Sequence, residues 1–321
     1  MSFTPNLIRQ YMAPNSDASS AGGPGGHSGH SLDFTIPKDN LYAFGKLWFS
    51  FDDKPCIAAF HGLNFGMVGD QRLKPLFGYT GFGMFQSKLL DNGNVRIRGK
   101  EVGYFNDPIT GDILETWDNP YTGETVEVFN FLNDAIRGEL TPEMPKFQFG
   151  DADDAPTLMN EGTIKTREDG SAPFILPWER YGDNVMLAWD YTHRYKNPVT
   201  KDKWPKAHTG TYINPSEHFT FQTNYDRLAD RSIPSADFAC GFSRMSPWWP
   251  WMKMGGSGVE GMIFGRMNSH KSNQGLTDVP PKVLAYTEKH HPEYLEAPDD
   301  WDDGFPKGTW ESYAEHVPPE V

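Results

Sequence analysis

From residue 32 to residue 267 the chain is patterned at a period of two. The runs 42–51, 77–89, 95–105, 174–181, 185–195, 219–225, 238–244 and 260–267 alternate apolar with other residues and are rich in aromatic and β-branched side chains. Gly, Pro, Asn and Asp separate them, as they separate strands. No long 3.6-residue period interrupts the series, which favours an antiparallel sheet closed on itself over alternating βαβ units. The pattern predicts a mainly β fold of roughly eight to twelve antiparallel strands, an antiparallel β-barrel or strongly curved sheet of calycin-like form. Helices are few and mostly C-terminal: the sequence predicts short ones over 4–12, 280–290 and 309–316.

The turns are legible one by one. Asp107-Pro108-Ile109-Thr110-Gly111 recurs as Asn119-Pro120-Tyr121-Thr122-Gly123, and Asn197-Pro198-Val199-Thr200 is a third copy without the glycine. The Asx side chain can bond its own downstream backbone, Pro sets φ, and Gly supplies a left-handed residue. None has the acidic ladder of a calcium loop, so these are turns rather than cation sites. The segment 14–31 is rich in Gly and Ser and cannot bury apolar surface. The expected organisation is therefore a flexible arm over 1–31 and one β-rich domain over 32–321. His27 and His30 in the arm have no further ligands beside them and read as solvated.

Charge narrows the partners. Lys plus Arg number 29 against 43 Asp plus Glu, a net charge of −14, which disfavours nucleic acid and anionic membrane surfaces. No run reaches the length of a membrane span, and the N-terminus lacks a secretory apolar core. Cys56 and Cys240 cannot make a disulfide framework. The expected compartment is the cytoplasm, and a homo-oligomer stays compatible with the pattern.

Cofactor motifs fail in context. Gly256, Gly258 and Gly261 have dinucleotide-fingerprint spacing, but Met262-Ile263-Phe264 after them reads as a strand where a helix is required. There is no P-loop, no Gly-x-Ser-x-Gly elbow and no His-Glu-x-x-His. The ten His show no compact ligand pair, so the expectation is no metal and no cofactor.

The stretch Ser243-Arg244-Met245-Ser246-Pro247-Trp248-Trp249-Pro250-Trp251-Met252-Lys253-Met254-Gly255, with the two Asx-Pro-x-Thr-Gly turns and the region 282–298, resembles the bacterial family known as domain of unknown function 1838. The resemblance covers about residues 35–300. It implies a single domain and assigns no catalytic residue. Some related bacteria live on aromatic compounds, a hint toward aromatic compound catabolism.

Strand alternation then selects side chains. Val185, Leu187, Trp189, Tyr191, His193 and Tyr195 share one apolar face, which should point inward. Phe238, Cys240, Phe242 and Arg244 do the same, so Arg244 enters an apolar interior and needs an acidic partner or an anionic ligand. Val95, Ile97 and Glu101 share a face that could supply that partner, while Arg96, Arg98 and Lys100 form a basic strip expected to be solvated. Trp248, Trp249 and Trp251, fenced by Pro247 and Pro250, form a loop across one end of the sheet, either a hydrophobic plug or a stacking lid.

The expected function is a cofactor-independent enzyme acting on a hydrophobic, aromatic small molecule. His193 would be the general acid/base, Tyr191 or Tyr195 its proton partner, and Arg244 the stabiliser of developing negative charge, with Glu101 beside it. Trp178, Trp189, Trp248, Trp249 and Trp251 would line the substrate. That set suits a lyase of retro-aldol or deformylation type, or an isomerase. The alternatives are a barrel that binds a lipid or aromatic compound without chemistry, and an assembly protein using the tryptophan loop as a contact.

Overall fold

The computed structural model describes residues 31–144, 158–159, 167, 171–192, 194–272, 274–301 and 307–321. The arm 1–30, with its expected helix over 4–12 and both of its histidines, lies outside the described residues, as does His193. Ten strands make one sheet: β1 (Cys56–Met67), β2 (Lys74–Leu89), β3 (Val95–Asn106), β4 (Phe131–Leu140), β5 (Leu158–Met159), β6 (Trp178–Tyr181), β7 (Asn184–Thr192), β8 (Ser216–Asn224), β9 (Phe238–Ser246) and β10 (Met262–Ser272). The order is β6-β7-β8-β9-β10-β1-β2-β3-β4, with β5 paired to β7. Every pairing is antiparallel. The fold is therefore mainly β with an antiparallel sheet and few short helices. Among the described residues the sheet does not close into a barrel, because β4 and β6 end the path without pairing to each other. Ile136 and Leu140 of β4 nevertheless pack into the same core as Trp178 of β6 and Val185 of β7, so the sheet curls until its two ends share one interior.

That interior is filled at one end by helix α1 (Pro37–Trp48), which overturns the strand expected over 42–51. The run 41–49 is apolar but for Gly45 and Lys46, and Leu41, Tyr42, Ala43, Phe44, Gly45, Lys46 and Leu47 are all covered, so the short segment imitates a buried strand. Pro37 starts the helix, where a missing N–H costs nothing. At its other end Lys271 of β10 donates to the carbonyls of Lys46 (3.1 Å), Leu47 and Phe49 (3.0 Å), capping carbonyls that a helix leaves orphaned.

The turns form as expected. The Asp107 carboxylate accepts from the N–H groups of Ile109 and Thr110 at 2.8 Å, and Gly111 sits at φ 74°. Asn119 Oδ1 accepts from Tyr121 N at 2.9 Å, with Gly123 at φ 73°. This second turn joins a hairpin of Thr116–Asp118 with Thr125–Glu127. Short helices α2 (Tyr225–Ala229), α3 (Pro281–His290) and α4 (Thr309–His316) complete the fold. Val279, and Val283 of α3, cover the convex face of β1 to β3 through Ile57, Ala59, Phe82, Met84, Val102 and Tyr104. The basic strip is not simply solvated. Arg96 donates to the Trp301 carbonyl, Arg98 to that of Asp299 and Lys100 to that of Glu293, and Trp301 lies under Lys88 and Arg98. Both cysteines are buried and free. No described helix is long and apolar enough to cross a membrane.

Candidate functional site

The strand register sets one row of side chains across the concave face. Asn64 of β1 pairs with Gly265 of β10, Gly265 with Arg244 of β9, Arg244 with Glu217 of β8, and Glu217 with Tyr191 of β7. One step along the strands lies an apolar row of Met267, Phe242, Phe219 and Trp189. The polar row therefore forms a waist between the core around α1 and a second core at the opposite end of the sheet.

Arg244 points inward, as its alternation demands, but its partner is not Glu101. Nε of Arg244 lies 3.2 Å from Glu217 Oε1, and the two side chains are 19% and 17% exposed. The nearer acid wins because β8 is the adjacent strand and Glu217 stands directly opposite Arg244. Glu101 does lie on the concave face: a Cβ on Gly83 would meet its Cγ at 2.9 Å. It acts on the same neighbourhood by charge. Burial above all, then the Glu101 carboxylate, drives the Tyr79 phenol far above the ordinary tyrosine range, with the nearby Arg244 opposing. Tyr191 is raised by burial first, then by Glu217, with Glu101 adding a smaller share. Both phenols thus remain protonated near neutral pH.

Tyr195 departs from the expected strand face. β7 ends at Thr192, and Tyr195 starts a separate two-strand ribbon with Ile213. It is buried in the second core, yet Arg244 and Glu217 still bear on its phenol, which burial raises. His193 lies outside the described residues, so the expected base has no described position. Trp189 borders the waist, edge-on to Tyr191 at 5.7 Å, while its other neighbour is Phe44 of α1 at 4.9 Å. Trp178 stacks on Phe34 at 4.9 Å and belongs to the core around α1.

The tryptophan loop is a plug. Trp248, Trp249 and Trp251 are 3%, 4% and 1% exposed. Pro250–Met252 winds a 3-10 turn, and Trp249 and Trp251 pack on Phe105 at 4.8 and 5.0 Å. Asn119 Nδ2 donates to the Met252 carbonyl at 2.7 Å, so the second Asx turn anchors the plug. These indoles form the waist's ceiling and present no open stacking face to solvent.

Three members escaped the sequence reading. Glu217 shares alternation with Phe219 and Phe221, so an acid on an aromatic face was there to be read. Tyr79 follows Phe77 by two in β2. Asn64 sits in β1, whose Ala and Gly content hides its alternation.

The convex face carries a different arrangement. His218 Nε2 lies 3.0 Å from Ser216 Oγ, and His218 Nδ1 lies 3.3 Å from Asp190 Oδ1. The spacing is that of a nucleophile relay. The His218 and Asp190 side chains are 44% and 42% exposed on an open sheet face, without walls to hold a substrate. Among the described residues there is no cluster of three or more His, Cys, Asp or Glu able to hold a metal.

No curated protein matches the sequence. Among solved structures, one similar chain is that titled "Crystal Structure of Rv2717c from M. tuberculosis". It is 8% identical, with 65% of this chain and 89% of that one covered and a TM-score of 0.18. The MucB chain in complex with MucA(peri) is also 8% identical, with 78% and 96% covered and a TM-score of 0.12. Scores this low carry no argument about fold or function. The family comparison is different in kind: residues 53–317 match the family described as Protein of unknown function (DUF1838), and the chain belongs to that family.

Proposed function

We propose that the chain is a cofactor-independent lyase that performs acid–base chemistry on a hydrophobic aromatic molecule held at the waist of its curled sheet, which works as a calycin-like barrel. The observation that carries this reading is the placement of Glu101, Glu217, Arg244, Tyr79 and Tyr191 together inside an aromatic interior. Part-buried ion pairs contribute little to stability compared with apolar packing, so the presence of one in a half-dry, ring-lined interior favours chemistry. Phe219, Phe242 and Trp189 supply the stacking wall, and Trp248, Trp249, Trp251 and Tyr195 the ceiling.

The step we favour is a retro-aldol cleavage. The Glu101 carboxylate, in the role the sequence offers to His193, takes the proton of a substrate hydroxymethyl group. The O–H electrons form the carbonyl of a departing aldehyde. The broken carbon–carbon pair moves into the conjugated aromatic system, and Arg244 stabilises the charge that develops there. Tyr191 returns a proton to carbon and is reprotonated from Glu101, so atoms and charge balance. The test is aldehyde release from hydroxymethyl-bearing aromatic compounds. Glu101→Gln should lower turnover at least about 100-fold while binding stays within about threefold. Binding of the aromatic with no aldehyde in either protein would replace the lyase by a carrier.

A further inference from the structure

Four asparagines are buried in the described residues, and three have both amide atoms hydrogen-bonded. Asn40 donates to the carbonyls of Phe34 and Ile36 and accepts from Leu176 N. Asn119 donates to Met252 O and accepts from Tyr121 N. Asn197 donates to Gly210 O and accepts from Val199 N. Asn64 is 0% exposed, and neither its Oδ1 nor its Nδ2 has a hydrogen-bond partner. Leaving both ends of a buried amide unmatched is costly, and native folds avoid it.

Its direction is defined. A Cβ on Gly265 would lie 2.9 Å from Asn64 Oδ1 and 2.7 Å from Met267 Cε. The amide therefore leans over the bare backbone of Gly265 toward Arg244, two strand spacings or about 10 Å away, and the Met267 thioether lies beside it. Methionine has three rotatable bonds and yields easily, so displacement of Met267 uncovers the amide. Asn64 is thus the free polar end of the row whose other end is the Arg244–Glu217 pair.

We infer that Asn64 is a specificity-determining residue that reads a neutral hydroxyl on the aromatic ligand, the hydroxyl donating to Oδ1 and accepting from Nδ2. This rests on the waist being the ligand site. Charge selects the hydroxyl over a carboxylate. The Glu217 charge offsets that of Arg244, Glu101 adds a further negative charge, and an anion would leave Oδ1 unmatched.

The experiment is calorimetric titration of the full chain with 4-propylphenol, 4-propylanisole and 4-propylbenzoate. The wild type should bind the phenol at least tenfold tighter than the ether or the carboxylate. Asn64→Leu, close in volume, should cut that preference below threefold. Gly265→Ala, which crowds the amide oxygen without touching its chemistry, gives a second reading if Asn64→Leu does not fold. It should weaken the phenol more than the ether. Equal binding of phenol and ether by the wild type would overturn the inference and leave the aromatic site standing. So would a phenol preference unchanged in either variant. Failure of the wild type to bind all three would overturn the waist reading itself, and this inference with it.

Discussion

Replacing Arg244 by Met strands the Glu217 carboxylate in the interior. Exposed ion pairs contribute about 0–1 kcal/mol, whereas removing one partner of a buried pair costs about 3–5 kcal/mol. The two side chains are 19% and 17% exposed, nearer the buried limit, so discounting for residual solvent gives a loss of about 2–3 kcal/mol. For a domain of this size each kcal/mol lowers Tm by about 2 °C, which predicts a fall of about 4–6 °C. Glu217→Gln added to Arg244→Met removes the stranded charge and should restore most of the loss. The double-mutant cycle should then return a coupling of about 2 kcal/mol. Thermal unfolding followed by circular dichroism, at pH 7 and moderate salt, reads all four proteins. A shift under 1 °C for Arg244→Met, or a coupling under about 0.5 kcal/mol, would mean that the pair is solvated and that the waist is not the half-dry place described.

Lys271 is pushed down to about 8 by burial, from an ordinary 10.5. The unfolded chain then holds more protons above pH 8, so stability should rise with pH between about 8 and 10, with Lys46, also near 8, adding to it. The fall from 10.5 to about 8 sets a ceiling of about 3 kcal/mol for Lys271, and above pH 10 the raised tyrosines reverse the trend. Urea titrations across this range should show the rise in wild type and a shallower one in Lys271→Met; a flat wild-type profile refutes it. Asn119→Ala loses its bond to Met252 as well as the turn and should cost about 2–3 kcal/mol. Asp107→Ala in the exposed copy should cost under about 1 kcal/mol, and equal Tm shifts would contradict the anchoring role. Ser216→Ala on the convex face should leave aldehyde release unchanged, since that relay has no walls; a large loss would move the chemistry to the outer face.

Much of the sheet was legible because its strands are half-buried. Where one face meets the core and the other meets water, alternation survives in the residues, as in β7 to β9. Inward assignments of Trp189, Tyr191 and Arg244 followed from that rule alone. It failed where burial became complete or side chains became small. Residues 40–47 of helix α1 are all buried, and its apolar run is short enough to imitate a buried strand. β1 carries alanines and glycines that leave room for neighbouring rings, and it was not read at all. Partner choice was not legible either. Glu101 and Glu217 both face inward, and only the β8–β9 register decides which one meets Arg244. The end of β7 at Thr192 likewise detached Tyr195 from a face it shares on paper.

The central claim is that an aromatic molecule sits at the waist. A phenol carrying an aryl diazirine, photolysed with the full chain and mapped by peptide mass spectrometry, tests it directly. The account predicts adducts on the inward residues of β7 to β10, suppressed by excess 4-propylphenol. Adducts confined to the convex face, or inward adducts that excess phenol does not suppress, would contradict it.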